Sequence, residues 1–146
     1  MTPFRFPLQK VLDWRLTQLE VEEIRYRQQL AALAALDRTR AELEAAGIRA
    51  EVEVRKSASL AGFDLAALGS FRRRVQVEEG KLATRRAECE KRVAAQQSAM
   101  LEARRRCRLL ERLKERRLTD WQSAADKEVE ALAAESFLAQ WNRRRA

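Results

Sequence analysis

Apolar residues recur along this chain at steps of three and four, and proline is absent from every stretch where they do. The first run is Leu12, Leu16, Leu19, Tyr26, Leu30, Leu33, Leu36 and Leu43. The second is Cys89, Val93, Gln96, Met100, Ala103, Cys107 and Leu110, with steps of four and three alternating without a slip. A repeat that averages three and a half residues keeps one stripe of a helix turned toward a facing helix, so the pattern is that of a coiled-coil seam. The only prolines, Pro3 and Pro7, precede the first stripe, as expected for a residue that has no amide proton and whose ring clashes inside a helix.

The chain reads as one all-α unit of 146 residues: two long helices forming an antiparallel coiled-coil hairpin, with the second helix longer. Residues 1–7 are an extended leader, helix 1 runs over about 8–59, a turn occupies about 60–69, and helix 2 covers about 70–142. Gly62 is expected to close helix 1 at positive φ and Asp64 to cap the next helix. A competing start lies at Ser70, with a short helical piece at Leu65–Leu68 merging with helix 2. Gly47 marks a soft spot within helix 1. A fold about Gly62 sets Leu12 near residues 112–116. Beyond about residue 118, helix 2 outruns its partner, yet Leu118, Trp121, Ala125, Val129, Leu132 and Phe137 continue an apolar stripe. An unpaired stripe of this kind calls for something external to cover it. Trp14 and Trp121, near the open end where the termini meet, read first as packed within the rod, with contact to a partner as the alternative.

Composition removes several function classes. Histidine is absent, which takes away the commonest general base and metal ligand. There is no glycine-rich phosphate loop, no GxSxG and no CxxC, so catalysis, cofactor binding and metal binding are not expected. No run of about 18 apolar residues is present to cross a membrane, and no apolar signal region opens the chain. Cys89 and Cys107 lie 18 positions apart on one helix, roughly 27 Å at the helical rise, too far for a disulfide between them. Both read as small buried hydrophobes in a reducing compartment.

Charge is abundant and uneven. Lys and Arg number 30 against 22 Asp and Glu, a net +8. Residues 1–70 carry 10 of each sign, and residues 71–146 carry 20 and 12, so the whole excess lies in the second half. Three arginine triplets contribute: Arg72–Arg74, Arg104–Arg106 and Arg143–Arg145. Neighbouring helical residues point about 100° apart, so a triplet spreads charge around the helix rather than making a flat patch. The triplets read first as solvated faces with ion pairs one turn apart, such as Glu111 and Glu115 with Arg108 and Lys114, and an acidic protein surface is the functional alternative. A basic coiled-coil nucleic-acid-binding protein and a generic coiled-coil scaffold are the competing readings. A basic zipper, however, would set a dense basic block ahead of the seam, whereas here basic residues are scattered through it.

The leader and first turns read Phe4-Arg5-Phe6-Pro7-Leu8-Gln9-Lys10-Val11-Leu12-Asp13-Trp14-Arg15. This stretch resembles the opening of the FliJ family, small coiled-coil components of the bacterial flagellar export apparatus, many of which begin F-x-F-x-L-x-x-[VL]-L-x-x-[KR]. The overall plan is similar too, with a glycine-containing turn and then an aromatic, Gly62 and Phe71 here, leading into a longer second helix. The segment Glu128-Val129-Glu130-Ala131-Leu132-Ala133 departs from the Asp-Glu-leading pattern frequent in the family. The resemblance implies a non-enzymatic stalk, related to injectisome stalk proteins and to the central stalk of rotary ATPases. Such a stalk inserts into and promotes assembly of a hexameric export ATPase, couples it to the membrane export gate and escorts export chaperones. It would be cytoplasmic and peripheral at the inner face of the cell membrane. The ATPase contact is expected at Trp14, Arg116, Arg117, Leu118, Trp121, Val129 and Leu132, and the gate contact at Phe63 and Phe71.

Overall fold

A computed structural model describes residues 2–57 and 62–145. Two helices account for nearly all of them: α1, Gln9–Lys56, of 48 residues, and α2, Gly62–Arg145, of 84. The protein is an all-α antiparallel two-helix hairpin with the longer helix second. Chain packing forms two compact units: Met1–Leu19 with Glu102–Ala146, and Glu20–Leu101.

In the Glu20–Leu101 unit, partner numbers fall along α1 as they rise along α2. Arg72 Nη2 pairs with the Glu51 carboxylate at 2.8 Å, and Arg86 Nε donates to Asp37 Oδ1 at 2.7 Å. Further along, Cys89 Sγ lies 3.9 Å from the Gln29 carbonyl, and Gln96 Nε2 donates to the Glu22 carbonyl at 3.3 Å and to its carboxylate. In each pair the two residue numbers add to between 118 and 123. A mirror at Gly62 would require 124, so this register is centred a few residues earlier than the sequence suggested. Leu82, Cys89 and Met100 are the buried side chains of this unit. The core is thin, and polar groups share the seam with apolar ones.

The inward positions of α1 correct the sequence reading at two leucines. Leu12, Arg15, Leu19, Glu22, Tyr26, Gln29, Leu33 and Leu36 are all among the less exposed residues and keep a strict alternation of three and four, with Gln18, Val21 and Glu23 partly covered beside them. Leu16 and Leu30 fall outside it and are 40% and 39% exposed. Each loses its place to an adjacent long polar residue, Arg15 or Gln29, because the heptad geometry chooses the position and not the side chain.

The helix boundaries differ near the turn. α2 begins at Gly62, well before Ser70, and Leu65–Leu68 lies inside it. No described glycine has positive φ, so Gly62 opens α2 instead of closing helix 1. Asp64 lies in the first turn of α2, where a carboxylate faces the positive end of the helix dipole. Ser59, the expected end of helix 1, lies outside the described residues. α1 continues as helix through Gly47.

In the other unit the leader folds back on α2. The Phe6 carbonyl accepts the Gln9 amide at 3.1 Å and Leu8 accepts Leu12 at 2.9 Å, which starts α1 directly after Pro7. Phe6, Leu12 and Cys107 are buried there. Burial, and then the neighbouring Glu111 carboxylate, raise the Cys107 thiol above its ordinary pKa, with Arg15 opposing.

Candidate partner-binding surfaces

The residues expected to meet the ATPase divide into three groups. Trp121 is covered from within the chain. Its indole Nε1 donates to the Thr2 carbonyl at 3.2 Å, and its ring lies 6.1 Å from Phe4 at a tilt of 55°. Phe4, Phe6 and Leu8 of the leader, with Leu113, Arg117 and Trp121 of α2, line one groove. The stripe beyond residue 118 is expected from the sequence to lack a partner within the chain, but Trp121 itself reads first as packing within the rod, and the leader covers it in that way. The leader aromatics were visible in the sequence, but only as a family signature. Their antiparallel distance from the turn matches that of Trp121 and was the available signal. Leu118 is half-buried in the same region.

Trp14, Arg116 and Arg117 are exposed. Trp14 is 53% exposed and carries the Arg15 guanidinium 4.8 Å from its ring centroid. That stack leaves a flat aromatic surface with a fixed cation beside it. Arg116 lines a shallow depression with Arg112, Glu115, Thr119 and Asp120, so the basic surface there is interrupted by two carboxylates.

Val129 and Leu132 belong to the third group, which has no cover among the described residues. Every residue from 126 to 145 is exposed. Val129, Leu132, Phe137 and Leu138 are each 58–63% exposed. Phe137 and Trp141, one helical turn apart, stack with centroids 6.3 Å apart, and Arg145 lies 5.2 Å over the Trp141 ring. Phe137, Leu138 and Trp141 extend the expected site. Their spacing of three and four was legible, but it slips from the seam phase after Leu132.

In the Glu20–Leu101 unit, Phe63 and Phe71 play unlike parts. Phe63 is 83% exposed. Phe71 is half-buried and lines a groove with Ala50, Val54, Ala67 and Leu68, a lining that does not include Phe63. Among the described residues, no group of His, Cys, Asp and Glu is placed to hold a metal ion, and no helix is long and apolar enough to cross a membrane. No protein-family model matches the chain, and no curated protein and no solved structure matches it either.

Proposed function

We propose that this chain is a non-enzymatic stalk of a type III flagellar export apparatus that contacts the export ATPase through α2 beyond Ala125 and the export gate through the turn-side aromatics Phe63 and Phe71. The observation that carries this reading is the continuation of α2 past its covered part. Residues 126–145 remain helical while presenting Val129, Leu132, Phe137 and Leu138 to solvent. Apolar side chains of this size each contribute about 1.5–3 kcal/mol when fully buried against a partner. The leader resemblance supplies the identity of that partner, and Arg143, Arg144 and Arg145 at the far end of the segment suit acidic groups on it. On the same resemblance the chain also escorts export chaperones and lies at the inner face of the cell membrane.

The test is binding to the cognate export ATPase by calorimetry, with hydrolysis followed in parallel. The full chain should bind and stimulate ring assembly and turnover. Removing residues 126–146 should abolish binding while leaving the leader on Trp121 and the hairpin helical. Phe71→Ala should spare ATPase binding and weaken capture by the gate. Undiminished ATPase affinity in the shortened chain overturns the assignment. So does tight DNA binding with a steep salt slope, the signature of phosphate contacts.

A further inference from the structure

The uncovered stretch of α2 is electrically polarised, and that polarity names an occupant. Residues 126–135 hold Asp126, Glu128, Glu130 and Glu135 against Lys127, a net −3. Residues 136–145 hold Arg143, Arg144 and Arg145 and no acid, a net +3. Elsewhere in the chain several charged residues find opposite charges on their own helix or across the hairpin. Within 126–145, Asp126, Glu128, Glu130, Arg143 and Arg144 form no ion pair among the described residues. A uniformly acidic or basic surface would attract one half of this segment and repel the other. A second copy laid antiparallel satisfies both halves.

We infer that residues 126–145 pair antiparallel with the same segment of a second chain, forming a weak, salt-sensitive homodimer. A pairing centred between Glu135 and Ser136 sets Arg143 opposite Glu128, twice by symmetry, as an isologous contact requires. The same centring brings Leu132 opposite Ala139, a large side chain against a small one, on the face that also carries Val129, Ser136 and Arg143, while Phe137 and Leu138 lie more than 100° round the helix from Leu132. A parallel pairing stacks acid on acid and arginine on arginine, which is destabilising. A contact limited to twenty residues per chain is small by the standard of stable interfaces, so the dimer is a concentration-dependent one. It covers Val129 and Leu132, the residues assigned above to an external protein, so the dimer and that complex exclude each other. The inference does not depend on who the external partner is.

The experiment is sedimentation equilibrium of the full chain over a concentration series at low and high salt. Dimer is expected to grow with concentration and to weaken with added salt. Arg143→Glu, Arg144→Glu and Arg145→Glu together should weaken it about tenfold or more. Asp126→Lys, Glu128→Lys and Glu130→Lys together should do the same. An equimolar mixture of the two variants should pair more tightly than either alone. Orientation is read by oxidation: Ser136→Cys, near the symmetry centre, should crosslink two chains efficiently, and Val129→Cys should not. A chain that stays monomeric throughout overturns the proposal. So does equal crosslinking at both positions, which marks a parallel pair, or charge variants that leave the dimer unchanged.

Discussion

Residues 82–100 and residues 126–145 lie on one helix with similar composition, rich in alanine, arginine and glutamate, and they live in opposite environments. In the first stretch Leu82, Cys89 and Met100 are 3–8% exposed, and Arg86 and Gln96 reach across to Asp37 and Glu22. In the second, every residue is exposed, and its largest side chains stack on their own helix. Helical conformation is common to both because local propensity suffices for it: neither stretch contains proline or glycine. Stability is a different matter. An isolated helix of about twenty residues is marginal in water, and most helical stability in proteins comes from packing against a partner. The helix is continuous; the interactions that hold it are not.

The largest expected effect comes from a buried seam residue. Leu82→Ala removes a side chain that is 7% exposed and should cost about 2–3 kcal/mol, seen as a lower urea midpoint with helicity retained in water. Leu138→Ala, at 58% exposure, should change stability by less than about 0.5 kcal/mol in dilute, high-salt solution. Equal destabilisation by the two variants would mean that residues 126–145 are covered after all, and would erase the contrast.

A change of opposite sign sharpens the comparison from the paired side. Gly80 sits in the interior of α2 with a helical φ, and a Cβ built there meets nothing within 4 Å. Gly80→Ala should therefore stabilise the hairpin by about 0.5–1 kcal/mol, since alanine gives up less conformational freedom on folding. An unchanged or lower thermal midpoint would show that this part of α2 is not formed as helix in the folded state.

How far the sequence led can be argued from particular residues. Proline-free periodicity was enough for two long helices, their antiparallel pairing and the greater length of the second. The second stripe was read correctly at Cys89, Met100 and Cys107 because apolar identity and heptad phase coincide there. They part at Arg15 and Gln29, which take seam positions that Leu16 and Leu30 seemed to claim. A long side chain can lay its stem along a seam and keep its polar end in water, so polarity is a poor guide to phase in so thin a core. Gly62 was misassigned because a turn glycine is expected at positive φ, yet nothing prevents it from opening a helix. Of the candidate surfaces, exposure at Val129 and Leu132 was legible from the unequal helix lengths. Cover at Trp121 was legible only from its place at the open end, at the leader's distance from the turn, because a seven-residue leader carries no periodicity by which to place its own side chains. What meets the exposed face is written in another chain, or in a second copy of this one, and no pattern within a single chain contains it.

The smallest expected effect concerns a cross-helix ion pair that the uncovered stretch lacks. Arg86 Nε donates to Asp37 Oδ1 at 2.7 Å, and the same guanidinium reaches Glu90. The hydrogen bond from Arg86 lowers the Asp37 carboxyl below its ordinary pKa of 3.8, with the Arg86 and Arg40 charges assisting. Arg86 is correspondingly raised, above all by its hydrogen bond to Asp37. A carboxyl whose folded pKa is depressed contributes stability that is fully present above its ordinary value and is lost as pH falls through the folded one. Near neutral pH, Asp37→Asn should therefore lower the unfolding midpoint slightly, and the gap to the parent chain should close as the solution is acidified below the carboxylate range. Both partners are open to solvent and Glu90 keeps hold of Arg86, so the gap should be small and should shrink further in high salt. The corresponding change at an uncovered acid, Glu130→Gln, should leave the midpoint of the dilute chain unmoved at either pH. A pH-dependent gap at Glu130 as large as that at Asp37 would mean that the uncovered stretch already holds a charged partner in solution. A gap at Asp37 that fails to close in acid would show that asparagine disturbs the helix pair by some route other than the lost charge.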